Sequence, residues 1–246
     1  MGKVDYYGDI LNGIEDWDDY LLEKSGLPGP RANLELLQAV VEKGNQDTFF
    51  KYIKYNSEKA PTNSKYEFLA MCGVVGLGKL MIEGNIELFN TLRMYASDSR
   101  WRIREGVAIA LQNFGEKDTE TLLSEMQKWK EGTFLEQRAV VATLCEPKLL
   151  SQQKQVKKVL NILDEITECI LSMDSRKDED FKTLKKALAY GWSVVVVALP
   201  EVGKQKMEKW FSSNDKDIIW IMKQNLKKNR LKKMDFKWVE RSLLEF

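Results

Sequence analysis

The sequence predicts an all-α protein, an α-solenoid in which helical pairs stack into an α-α superhelix. Apolar residues recur at helical spacing along most of the chain, the first sign of that class. A helix–turn–helix layout repeats after 33 residues, which is the second. The third is that only one run reads as a buried strand, and a lone strand has nothing to pair with.

In chain order, residues 1–30 carry two lysines against seven acids, so they read as an acidic N-terminal arm. The stretch 26–31, rich in Gly and Pro, breaks structure and separates that arm from a single solenoid domain over 31–246. Over 33–43, Leu34, Leu37, Val40 and Val41 share one helical face, and Gly44 stops the helix. Further helices are expected over 47–56, 65–82, 86–96, 101–113, 119–129 and 134–144. Asp47, Asp98 and Asp118 stand at capping positions. A longer helix over 148–172 follows Pro147, and the hydrophilic break 175–180 ends it. Helices near 181–199, 202–212, 216–229 and 235–245 complete the chain. The valines at 194–197 favour sheet, yet without a partner strand they are assigned to helix.

Trp101, Gly106, Val107, Ala108 and Leu111 lie 33 residues before Phe134, Ala139, Val140, Val141 and Leu144. A looser third copy runs over 206–229, with Asp215 in the turn before Ile218 and Trp220. One helical pair cannot bury both of its apolar faces, so neighbouring pairs stack and share a core. Only two copies align without gaps, which leaves an irregular helical bundle as the alternative.

Composition excludes much chemistry. The 246 residues contain 38 basic and 37 acidic side chains, so no global field draws the chain to nucleic acid or membrane. There is no histidine, which removes imidazole general bases, Ser-His and Cys-His nucleophiles, and His-ligated zinc. Cys72, Cys145 and Cys169 are far apart and too few for an all-cysteine zinc site. No catalytic residues converge, and no cofactor or metal is expected. The N-terminal stretch lacks the basic-then-apolar order of a signal peptide, and no apolar run is long enough to span a bilayer. A soluble, cytoplasmic protein is the expectation.

Three places invite a functional reading. Residues 73–79 match the start of a phosphate-binding loop, but Leu80 stands where Ser or Thr would ligate magnesium, and no strand precedes. The glycines there read better as close helix contacts. Residues 204–241 hold twelve basic side chains against five acidic ones, and 223–233, with Lys227 and Arg230, hold six basic and no acidic residue. Such a run is either a phosphate-binding surface or a solvated face complementing a helix end; the acidic arm packing on it is a third option. Finally, Arg100, Arg102 and Arg104 can line the inner surface of a solenoid while Trp101 and Ile103 face the core, with Arg138 extending the line. Arg104 can equally serve to join neighbouring repeats. Most tryptophans read as core; Trp192, with Lys185, Lys186 and Tyr190 around it, is the candidate for stacking on a base.

The segment from Asp98 through Trp101, Ile103, Arg104, Val107 and Ala108 to Leu111 resembles a HEAT repeat, whose pattern has a turn Asp, an apolar–Arg pair and an Ala-rich helix. Chain length and helix count are also similar to bacterial alkylpurine DNA glycosylases of the HEAT-like-repeat superfamily. That resemblance implies a DNA-facing role for Trp101, Arg102 and Arg104. It also aligns Lys186-Ala187-Leu188 and Gly191-Trp192 with the family's Lys-Ala-Ile-Gly-Trp run. Two residues intrude before Gly191, the valines replace an arginine the family carries after its tryptophan, and no Trp-Asp element stands mid-chain. The leading expectation is therefore a non-enzymatic scaffold whose concave basic surface holds a protein or nucleic acid, DNA included. The alternative is a DNA-repair protein that binds damaged DNA with or without excising a base.

Overall fold

Short polar side chains decide where most helices begin. In a computed structural model that describes residues 2–173 and 175–246, Asn33 accepts from the Leu36 N–H to start α3 (Leu34–Lys43). Asn45, rather than the expected Asp47, caps α4 (Gln46–Tyr52) through the Thr48 N–H. Ser64 caps α5 (Lys65–Ile82), and Asp118 caps α8 (Thr119–Trp129). Each such oxygen satisfies an amide that the helix itself leaves unpaired. Asp98 does other work, accepting from Arg100, as described below.

Two compact units divide the chain after Lys117. In the first, α1 (Lys3–Asn12) and α2 (Asp18–Lys24) occupy the stretch expected as an acidic arm, and α6 (Leu88–Tyr95) and α7 (Trp101–Lys117) complete it. Leu11 and Leu21 are buried, α1 packs on α3, and α2 packs on α5. Asp5, Asp9, Asp19 and Glu23 are exposed on these amphipathic helices, and Glu15 and Asp16 are exposed in the turn between them. Packing then runs through every second helix, α1 on α3, α3 on α5 and α5 on α7.

The glycines of the loop-like motif explain how α5 sits among so many neighbours. All of 73–80 is helical, so no phosphate cradle forms. A Cβ on Gly76 would lie 2.1 Å from Phe49 Cδ1 of α4, and one on Gly78 would lie 2.5 Å from the Ala110 carbonyl oxygen of α7. Helices on both sides approach closer than any side chain permits.

The second unit contains α8, α9 (Phe134–Leu144), α10 (Gln153–Cys169), α11 (Glu179–Ala198), α12 (Pro200–Glu208), α13 (Lys216–Leu226), α14 (Asn229–Met234) and α15 (Phe236–Leu243). Here too alternate helices pack, α9 on α11, α11 on α13 and α13 on α15, with α8, α10 and α12 forming a parallel succession. The helix expected over 148–172 is broken into a 3-10 turn at Pro147–Leu149, α10, and a second 3-10 turn at Ile170–Ser172. The valines at 194–197 are helical: Val195 and Val196 are fully buried, and among the described residues none lies in a strand. Burial between helices satisfies them as a sheet would, because a helix hydrogen-bonds its own backbone and needs no partner strand.

Candidate nucleic-acid interface

Several basic residues of the second unit are held by carboxylates, while others, including those near Tyr190, are not. Lys185 donates to Asp217 at 2.7 Å and lies 4.4 Å from the centre of the Trp220 ring. Arg176 bridges Asp215 and Asp217. Burial opposes ionisation of both aspartates, but Lys185 and Arg176 at Asp217, and Arg176 with backbone amides at Asp215, outweigh it and hold both below the usual carboxylate range. Lys206 and Lys209 both reach Asp164, and Lys204 reaches Asp235. Among the described residues, by contrast, Lys186, Lys227, Lys228 and Arg230 pair with no carboxylate.

Two of these cations, Lys228 and Arg230, meet one half-exposed ring. Lys186, Tyr190, Val194 and Val197 follow one another at helical spacing along α11 and form a single stripe. Tyr190 is 48% exposed. The first turn of α14 brings the Arg230 guanidinium to 4.3 Å from the Tyr190 ring centre, and Arg230 also donates to the Tyr190 hydroxyl. Lys228 Nζ lies 5.7 Å from the same ring. Beside this stack is a cavity of about 500 Å³, walled by Pro147, Leu150, Tyr190, Val194, Val197 and Arg230.

Asn225 fixes this arrangement. Fully buried, it accepts from the Ser193 backbone N–H at 2.8 Å and donates to the Leu188 and Ile221 carbonyl oxygens at 2.9 Å. That clamp ties the end of α13 to the middle of α11, so the turn carrying Lys227, Lys228 and Arg230 is held against Tyr190. Gly191 completes the fit on the other side, since a Cβ there would meet Cys145 Sγ and Val141 Cγ1 at 2.8 Å.

The remaining sequence-predicted residues are placed differently. Trp192 is fully buried, and its Nε1 donates to Thr167 Oγ1 at 3.0 Å, so it is a core residue rather than a stacking platform. In the first unit the expected alternation of 100–104 is reversed at its start. Arg100 is 2% exposed; it grips Asp98 twice and donates to the Tyr55 and Ala60 carbonyl oxygens. Arg102 is 3% exposed and donates to Glu67 Oε2 at 3.2 Å and the Gly29 carbonyl at 2.7 Å. Trp101, expected in the core, is 46% exposed, while Ile103 is buried as expected. The reason is periodic: successive side chains of a helix are rotated by about 100°, so a two-residue alternation cannot keep three arginines on one face. Arg104 donates to the Asp98 and Ser99 carbonyls of its own turn, and Arg138 is half-buried and partnered.

A second cavity, of about 380 Å³, lies in the first unit between Pro30, Leu34, Met71, Trp101 and Ile109, with Arg102 and Glu105 in its wall. The Arg102 guanidinium stacks 4.4 Å from the Trp101 ring centre. Arg102 Nε and Glu67 Oε1 meet no protein partner.

Sequence reasoning named Tyr190 only as a neighbour of Trp192 and covered Lys228 only within the basic run 223–233; it missed the apolar cup and the meeting of the two segments. The spacing Lys186, Tyr190, Val194 on one helical stripe carried part of the signal, but the approach of α14 to α11 has no local signature. Burial pushes the Cys72 and Cys145 thiols up, Arg230 opposing this at Cys145, so neither is ionised near neutral pH. Among the described residues, no group of carboxylates and cysteines is placed to hold a metal, and no helix is long and apolar enough to cross a membrane. Comparison with protein-family models, curated proteins and solved structures finds no match to this chain.

Proposed function

We propose that this protein is a non-enzymatic binding module of HEAT-like helical repeats, and that a basic surface of residues 118–246 holds a nucleic acid. The packing of every second helix within each unit supports the repeat reading. The observation that carries the functional reading is Arg230 and Lys228 against a half-exposed tyrosine, with Lys186 one helical turn before it and Lys227 next to Lys228, none of the four paired with a carboxylate among the described residues. Cations left without carboxylates are free to neutralise phosphates, and each contact releases counterions. An exposed ring adds a face on which a base can stack. Fluorescence anisotropy of a labelled oligonucleotide tests this: binding that weakens steeply from low to moderate salt is expected, and absent or salt-independent binding contradicts it.

A DNA-repair reading has one observation in its favour. Trp101 and Glu105, one helical turn apart, wall the same cavity, so an exposed indole and a carboxylate meet where a damaged base would need both. Against it, Arg102 and Trp192, assigned to DNA by the glycosylase resemblance, are buried and internally bonded. Release of free methylated base from alkylated DNA, above a buffer control, is the result that would favour excision over binding.

A further inference from the structure

The cup beside Tyr190 makes the nucleic-acid reading more specific, and the inference rests on that reading. We propose that this site takes single-stranded nucleic acid, with one unstacked base seated in the cup against Tyr190 and the flanking phosphates held by Arg230, Lys186 and Lys228.

Polarity favours a single strand. A surface that only tracks a duplex backbone needs cations and hydrogen-bond donors, not an apolar hollow. Here Pro147, Leu150, Val194 and Val197 wall a 500 Å³ space that opens directly beside the guanidinium. Val197 is 37% exposed and Tyr190 48% exposed, so apolar surface stands uncovered beside Arg230 and Lys228. In a duplex the base faces are already stacked on one another; in a single strand they are available to an aromatic ring.

Geometry supports the same occupant. Arg230 spends one donor on the Tyr190 hydroxyl, which locks the ring's orientation and leaves the rest of the guanidinium for a phosphate or a base edge. Lys186 lies one helical turn before Tyr190 on α11, and Lys228 approaches the ring from the α13–α14 turn. Phosphates on either side of a seated base would therefore meet a cation in each direction. The clamp at Asn225 preforms the site, so little ordering is needed when a strand arrives.

The test compares a labelled single strand containing 5-iodouracil with its own duplex, using the full chain. Anisotropy is expected to give single-strand binding about 10-fold tighter than duplex binding, and Tyr190→Leu is expected to weaken the single strand about 10-fold. Irradiation of the wild-type complex is expected to crosslink the iodouracil to Tyr190, located by peptide mass spectrometry. This second measurement holds even if the leucine variant folds poorly. Duplex binding equal to or tighter than single-strand binding, an unchanged affinity in folded Tyr190→Leu, or crosslinks confined to other segments each overturn the inference while leaving nucleic-acid binding intact. Binding to neither form overturns both.

Discussion

The first unit buries two arginines, Arg100 and Arg102, whereas the second leaves Lys186 and Lys227 exposed and Lys228 and Arg230 at a half-exposed ring. Arg100 and Arg102 are almost wholly buried and spend their donors on Asp98, Glu67 and backbone carbonyls. In the second unit, Lys228 and Arg230 at Tyr190, and Lys186 and Lys227 near them in sequence, are without a carboxylate among the described residues. Both regions read as basic in the sequence. What separates them is where acids and carbonyl oxygens fall in space: a guanidinium can be buried when a fork of acceptors meets it, whereas a lysine-rich turn with no acid remains in solvent.

The largest expected effect breaks the buried side of that comparison. Arg102→Ala leaves Glu67 as an uncompensated buried charge and is expected to cost about 3–5 kcal/mol in chemical denaturation. Nucleic-acid affinity per folded molecule is expected to stay as it was. A loss of affinity with stability preserved would instead make Arg102 a ligand contact. Trp192→Ala is expected to cost a similar amount, about 3–5 kcal/mol, because it empties a packed site and removes the hydrogen bond to Thr167.

An intermediate effect concerns acid. Asp215 and Asp217 titrate below their unfolded values in the folded protein, so the stability they contribute is present above the ordinary carboxylate pKa near 4. That stability is lost as pH falls from there through their folded values. Asp217→Asn is therefore expected to reduce stability at neutral pH and to flatten the acid limb of a melting-temperature profile; an unchanged limb would show that the Lys185–Arg176 network does not carry it. The smallest effect on stability is expected from Lys227→Ala/Lys228→Ala, within about 0.5 kcal/mol of wild type in thermal unfolding. A larger loss would mean that these lysines are structural after all.

Much of the fold was legible because helix spacing and stops are local. The bounds over 65–82, 119–129 and 134–144 coincide with α5, α8 and α9. Legibility failed where a decision depends on remote partners. Residues 1–30 read as an arm because their charge is conspicuous, while the buried Leu11 and Leu21 that dock α1 and α2 are sparse. For the site, Lys227 and Arg230 were named from charge, and Lys186 and Tyr190 from their place beside Trp192, but the cup required knowing that α14 returns to α11. Nothing in the local spacing of 100–104 reveals that Glu67 and Gly29 wait for Arg102.

The most direct measurement is the salt dependence of single-strand binding by Lys186→Gln/Lys227→Gln/Lys228→Gln compared with wild type. Three lost phosphate contacts are expected to lower the slope of log affinity against log salt by about 2, with melting temperature unchanged. An unaltered slope and affinity in the folded triple variant would contradict the assignment of the ligand surface to the Tyr190 region.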